Sequence, residues 1–189
     1  MINKVKILTR MKRFSFYVLL FPFLCLPLLS LSQLSYALSS DREQPINLEA
    51  DHADIDDMQG ISIYTGNVIL TQGSTEIKCH KLTLYTDEER QLKKAIAAGK
   101  NKLATYKQRP DGKEQDFKAR AETIIYYLTT EKIHLLKQAT VWQGGDRFSG
   151  DTIVYDTAKD SVVATSKKDK EGKAVGDRIR VTIQPRKQN

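Results

Sequence analysis

The feature that most narrows what this chain can fold into is a short motif that returns along it. A small residue and a polar one precede a run of alternating side chains. The copies read Cys79-His80-Lys81-Leu82-Thr83-Leu84, Ala121-Glu122-Thr123-Ile124-Ile125-Tyr126, Gly150-Asp151-Thr152-Ile153-Val154-Tyr155 and Gly176-Asp177-Arg178-Ile179-Arg180-Val181. Ala50-Asp51-His52-Ala53-Asp54-Ile55 is a looser fifth. Starts at 50, 79, 121, 150 and 176 give steps of 29, 42, 29 and 26 residues. Gln72-Gly73 and Gln143-Gly144 stand 71 residues apart, the same distance that separates the copies at 79 and 150. One such unit cannot bury its own apolar face, but a stack of them encloses a continuous interior and leaves two open ends.

The local pattern says what each unit is made of. Ile46-Asn47-Leu48-Glu49-Ala50, Ile61-Ser62-Ile63-Tyr64 and Val68-Ile69-Leu70-Thr71 alternate with period two and are rich in β-branched and aromatic residues. That is the pattern of half-buried strands. Between runs lie Met58-Gln59-Gly60, Gly66-Asn67, Pro110-Asp111-Gly112, Gly144-Gly145-Asp146 and Glu171-Gly172, each supplying Gly or Asx where the chain is expected to reverse. Residues 87–98 have helix-forming composition, yet Leu92, Ala95 and Ile96 make only a short apolar stripe, so a charged turn followed by a strand is expected there. The expected class is all-β.

The N-terminus follows different rules. Lys4, Lys6, Arg10, Lys12 and Arg13 form a basic start without acids, and residues 14–31 are apolar apart from Ser15 and Ser30. Ser35-Tyr36-Ala37 then places small residues where a signal peptidase reads, so residues 1–37 are expected to be a cleavable export signal. The competing expectation is an uncleaved anchor, since a run of about 18 apolar residues is near the lower limit for a spanning helix. Residues 38–45 form a polar, flexible lead ending in Gln44-Pro45, residues 46–184 the β-domain and residues 185–189 a short tail.

Removing the signal changes the charge balance. The whole chain carries 30 basic and 23 acidic residues, but five of the basic ones precede Ala37, leaving 25 against 23. A nucleic-acid binder keeps a strong basic bias, and no nucleic-acid partner is expected here. Cys79 would remain alone, so the exported domain would be held by core and sheet rather than by a disulfide.

Catalytic signatures are missing. Cys79 and His80 are adjacent and would point to opposite faces of a strand, so they cannot chelate a metal as a pair. Asp51, Asp54, Asp56 and Asp57 invite a calcium reading, but Met58 and Gln59 stand where a calcium loop needs an oxygen ligand and a glycine. No phosphate-binding glycine loop and no G-x-S-x-G turn occur. No catalytic site, metal or cofactor is expected.

Gln44-Pro45-Ile46-Asn47-Leu48-Glu49-Ala50-Asp51, then Met58-Gln59-Gly60, then Tyr64-Thr65-Gly66-Asn67-Val68-Ile69-Leu70-Thr71-Gln72-Gly73, resemble the LptA (OstA-like) family of periplasmic lipopolysaccharide-transport proteins. Weaker likeness continues through residues 99–108, 119–127 and 150–155. The resemblance implies an open-ended antiparallel β-jellyroll, a stacked half-barrel whose interior holds the acyl chains of lipid A. It implies lipopolysaccharide as the ligand and a periplasmic location. It also implies an inner-membrane anchored partner at the N-terminal edge, an outer-membrane translocon at the C-terminal edge, and end-to-end self-association. A membrane-anchored relative from the same pathway and a ligand-free structural β-solenoid stay open as alternatives.

The family's lipid-lining positions, carried onto this chain, fall on Ile46, Leu48, Leu82, Leu84 and Tyr106. Strand phase then suggests Ile63, Val68, Leu70, Ile124, Tyr126, Phe148, Ile153 and Tyr155. Each would serve as an ordinary core residue equally well. Open edge strands are normally an aggregation liability and would here be docking surfaces extended by an added strand.

Overall fold

Alternating β-branched and aromatic residues give the chain an almost unbroken series of strands. The structure, a computed structural model, describes residues 40–185 apart from 168, 174, 176 and 177. The expected export signal, the start of the lead, the Gly176-Asp177 pair of the fourth motif copy and residues 186–189 lie outside the described residues. The strands are β1 (Asn47–Glu49), β2 (His52–Asp56), β3 (Ile61–Gln72), β4 (Thr75–Thr86), β5 (Leu92–Ala98) and β6 (Ala104–Gln108). They continue as β7 (Phe117–Ala121), β8 (Thr123–Tyr127), β9 (Lys132–Gln143), β10 (Asp146–Asp156), β11 (Ser161–Thr165) and β12 (Arg180–Thr182). All pairings are antiparallel, and the described residues contain no α-helix. The all-β, open-ended architecture expected from the sequence is the one observed. Residues 87–91 turn and Leu92–Ala98 is a strand, as the short stripe there suggested.

Four long strands, β3, β4, β9 and β10, each serve two half-sheets. One end of each joins β6 and β7, in the order β1-β3-β4-β6-β7-β9-β10-β12. The other end joins β5 and β8, in the order β2-β3-β4-β5-β8-β9-β10-β11. The halves face each other: Tyr106 of β6 meets Tyr126 of β8 edge-on at 6.1 Å, and Phe117 of β7 stacks on Tyr155 of β10 at 4.0 Å.

The repeated motif marks the bend between the halves. In β4 the inward residues are Ile77 and Cys79, then Leu82 and Leu84, with His80 and Lys81 both exposed between them. Ala121 to Ile124 and Gly150 to Ile153 make the same three-residue step. The small residue sits inside the bend, and the next two face out. The neighbouring strand takes four residues, Tyr64 to Val68 in β3 and Leu135 to Ala139 in β9. The extra residue is accommodated by two consecutive left-handed conformations, at Gly66 and Asn67 and at Lys137 and Gln138. Gly66-Asn67 is therefore a bulge inside one 12-residue strand and not the chain reversal expected from its composition.

The 71-residue spacing is a duplicated hairpin. Leu70, Ile77, Leu82 and Leu84 in β3 and β4 correspond to Val141, Phe148, Ile153 and Tyr155 in β9 and β10, all packed in or against the core. Gly73 and Gly144 occupy the two hairpin turns, each at φ 56°.

Candidate functional site

Register assembles the inner faces into rows that run across the strands. In the β6–β7 half, Leu48, Leu70, Ile77, Tyr106, Ala119, Val141, Phe148 and Val181 stand side by side on eight strands. In the β5–β8 half one row is Tyr64, Leu82, Ala97, Ile124, Leu135, Ile153 and Ala164. The next is Ser62, Leu84, Ala95, Tyr126, Ile133, Tyr155 and Val162. The rows reach from the edge formed by β1 and β2 to the edge formed by β11 and β12. Neither edge carries a further described strand.

Eleven of the thirteen residues proposed as lining lie on or against this interior. Val68, Leu70, Leu82, Tyr106, Ile124, Ile153 and Tyr155 are buried, and Leu48, Leu84, Tyr126 and Phe148 pack against them. Two do not. Ile46 precedes β1 and is 42% exposed. Ile63 pairs opposite Asp54 and Thr83 on the outer face, while its neighbour Tyr64 takes the inward place opposite Leu82. The reason is parity: Ile63 and Val68 are five residues apart, and the Gly66–Asn67 bulge leaves β3 facing inward at 64 and 68.

Sequence reading missed the alanines and one aromatic. Ala95, Ala97, Ala104, Ala119, Ala121 and Ala139 are buried on the inner face. Ala97 sits between Leu82 and Ile124, and Ala119 between Tyr106 and Val141, so large and small residues alternate across the sheet. In Ala95-Ile96-Ala97 the eye goes to Ile96, which faces out; the flanking alanines were the signal. Phe117, 1% exposed, follows a long polar loop and has no alternating run before it.

The outer face is chemically different. Lys107, Lys118 and Arg147 share one row with Trp142, and the guanidiniums of Arg120 and Arg147 lie 5.2 and 5.6 Å from the Trp142 ring centre. Such cation–aromatic contacts keep these charges outside.

Inside, the thiol and the phenols are held neutral. Burial pushes the Tyr106 hydroxyl well above its usual range, and it donates to Gln108 Oε1 at 2.8 Å. Burial and the adjacent Asp160 carboxylate raise Tyr155. Burial takes the Cys79 thiol up to about 11, against a small opposing effect of the Ala98 backbone, so it is no nucleophile at neutral pH. The described residues contain no cluster of metal-ligating side chains.

The described part of the lead, residues 40–45, is anchored where it was expected to be flexible. Ser40–Glu43 forms a 3-10 turn, and Asp41 is 8% exposed. The Ser74 amide and hydroxyl, each at 2.7 Å, the Thr75 hydroxyl at 3.1 Å and the Gln108 amide at 3.3 Å all donate to its carboxylate. Burial pushes that carboxyl up, but these donors outweigh it and leave it below its ordinary value. Nothing local in the sequence marks this, because the donors come from the β3–β4 turn, β4 and β6, more than thirty residues away.

The core residues are between 0% and 4% exposed, so the two half-sheets are closed on each other. A crevice of about 520 Å³ opens where the tips of the halves meet, between the β6–β7 loop, the β9–β10 turn and Asp160, and reaches Phe117 and Phe148.

The family described as LptA/(LptD N-terminal domain) LPS transport protein matches residues 47–161. This chain belongs to that family. The lipopolysaccharide export system protein LptH of Pseudomonas aeruginosa is 39% identical over 156 residues, covering 82% of this chain and 88% of LptH. The export system protein LptA of Escherichia coli K12 is 31% identical over 143 residues, 76% of each chain, and that of Haemophilus influenzae is 32% identical over 134 residues. Among solved structures, the crystal structure of Pseudomonas aeruginosa LptH, described as the LptA-homologous periplasmic component of the conserved lipopolysaccharide transport device, superposes with a TM-score of 0.68. It covers 77% of this chain and 99% of LptH. The family's match ends at the start of β11, so β12 and the preceding basic loop lie beyond it.

Proposed function

We propose that this protein is a periplasmic carrier that moves lipopolysaccharide from the inner to the outer membrane, holding the acyl chains of lipid A between its two half-sheets. The observation that carries this reading is the inner row of the β6–β7 half, which runs without a polar break from Leu48 to Val181. Each CH₂ group taken from water into such an interior is worth about 0.8 kcal/mol, so a lipid with several acyl chains needs a continuous apolar path rather than one specific contact. The reaction is binding and transfer, with no chemical step.

Membership of the family, whose named members are lipopolysaccharide export proteins, supports the ligand and the compartment. The free edges support the partners. A strand added to β1 or β2 from an inner-membrane anchored protein, or to β11 or β12 from an outer-membrane translocon, would continue the inner rows into the next domain. The β1–β2 edge carries Glu49, Asp51, Asp54, Asp56 and Asp57, and the opposite end carries Lys167, Lys170, Lys173, Arg178 and Arg180. Edges of opposite sign also favour end-to-end association of copies of this chain.

The test uses a photo-crosslinkable residue at 47, 48 or 106 in cells making lipopolysaccharide. Leu48 packs inward between exposed Asn47 and Glu49. Capture at 48 and 106 with 47 silent is the expected result. Equal capture at 47 and 48 overturns the inward assignment, and capture at none of the three leaves a ligand-free β-scaffold. Leu48→Asp should weaken lipopolysaccharide binding, because an unpaired carboxylate against acyl chains costs several kcal/mol, whereas Asn47→Asp should change little.

A further inference from the structure

The interior is closed, yet its open side is not sealed by apolar packing alone. Two groups of polar side chains join the tips of the half-sheets. The first starts from the 3-10 turn. Asp41 ties that turn to Ser74, Thr75 and Gln108 of the β6–β7 half, and Gln72 donates to the Arg42 and Gln44 carbonyls at 3.2 and 3.0 Å. From there the Arg42 guanidinium crosses to the other half, pairing with Glu131 in the β8–β9 turn at 2.8 Å and donating to the Tyr126 hydroxyl at 3.3 Å. The second is centred on Asp160 in the β10–β11 turn of the β5–β8 half. It receives hydrogen bonds from Gln143, at the end of β9 in the other half, and from the Tyr155 hydroxyl at 2.9 Å, and pairs with Lys113 of the β6–β7 loop at 3.3 Å.

We infer that Arg42–Glu131 and Asp160–Lys113/Gln143 are two polar clasps that hold the half-sheets shut along the open side, and that their release admits acyl chains laterally. The clasps suit a reversible closure. Each rests on side chains that are part-exposed, Arg42 and Glu131 at 33% and 37%, so water can replace the partner when a pair parts. Directly behind them lie the aromatic contacts that span the two halves, Tyr106 with Tyr126 and Phe117 with Tyr155. The hinge would be the bend opposite the tips, where each long strand already departs from regular pairing. The crevice beside Asp160, which reaches Phe117 and Phe148, is where parting would first expose the interior. A lipid occupying the interior must spread the halves, since no core residue is more than 4% exposed when they are closed.

This rests on the reading of the interior as the acyl-chain site, and its test separates the two. Nitroxide labels at Glu114→Cys and Thr129→Cys, both exposed and on opposite tips, report the gap in the exported protein carrying Cys79→Ser. Pulsed electron spin resonance without lipid should show one narrow distance. Arg42→Gln with Asp160→Asn should lengthen or broaden it and raise uptake of the apolar dye N-phenyl-1-naphthylamine severalfold, with the far-ultraviolet β signal kept. The charge swap Arg42→Glu with Glu131→Arg should restore the narrow distance. An unchanged distance in the folded double variant overturns the clasps, and so does failure of the swap to restore a distance that Arg42→Glu had lengthened. Should the double variant not fold, Lys113→Gln and Glu131→Gln singly make the same comparison. Gap widening together with no lipopolysaccharide crosslinking at 48 or 106 in any variant would overturn the lipid reading while leaving the clasps standing.

Discussion

The β3–β4 and β9–β10 hairpins share one backbone 71 residues apart, but their surroundings differ. In the first, the chain's own N-terminal part covers the special positions. Asp51 lies against Gly66, its amide donating to the Gly66 carbonyl at 3.0 Å and its carboxylate accepting from Asn67 at 3.0 Å. Asp41 lies where a side chain at Gly73 would be. In the second hairpin, Lys137 and Gln138 match Gly66 and Asn67, and Glu122 approaches them as Asp51 approaches the first pair: its amide donates to the Lys137 carbonyl at 3.0 Å, and its carboxylate accepts from Gln138 at 2.9 Å and pairs with Lys137 at 3.2 Å, whereas nothing stands near Gly144. Both left-handed pairs are thus capped by the acidic residue of the preceding motif copy; they differ in that the Asp51 side chain stands where a Cβ at Gly66 would be, while Lys137 carries a side chain that pairs with its cap. Glycine at 66 answers to the close approach of the Asp51 side chain as well as to torsion; Lys137 tolerates the torsion with Glu122 beside it.

The largest expected effects test whether the hairpins are equivalent inside. Leu82→Ala and Ile153→Ala remove matching side chains that are both 0% exposed, and each should cost about 2–5 kcal/mol in urea unfolding. A cost at 82 with none at 153 would break the duplication as an energetic fact. Next comes the bulge. Gly66→Ala should destabilise by about 2 kcal/mol, from left-handed strain plus collision with Asp51, while Lys137→Ala should stay within about 0.5 kcal/mol. Equal costs would mean that the cover over the first hairpin is irrelevant.

The turn supplies a pH test. The folded-state pKa of Asp41 lies below its ordinary 3.8, so its contribution to stability is fully present above 3.8 and is lost as pH falls through the lowered value. Asp41→Asn should cost roughly 1 kcal/mol at neutral pH, and its unfolding midpoint should converge on the wild-type one below pH 3.8. A constant gap down to strongly acid pH would assign the effect to packing instead. A small effect is also expected on the inside of the bend. Cys79→Ala should change stability by less than about 1 kcal/mol, because Ala121 and Gly150 fill the matching inner positions. Gel filtration with and without reductant should give one elution volume, since the thiol stays protonated.

What the sequence determined by itself is the part that rests on local periodicity. Alternation with period two makes residues 82, 84, 124, 126, 153 and 155 share a face, and the 71-residue step between glycine-bearing turns announces a duplicated hairpin; both are legible because they depend only on neighbours along the chain. Tertiary structure decided which face is inside wherever phase is reset. Ile63 and Tyr64 compete for the interior, and the partner strand settles it by placing Leu82 opposite Tyr64. It decided that small residues such as Ala97 and Ala119 are interior, because their role is to sit between large ones on adjacent strands. It also decided that Asp41 and Arg42 are anchored: Arg42 meets Tyr126 across 84 residues, and only closure of the two half-sheets brings those side chains within hydrogen-bonding distance.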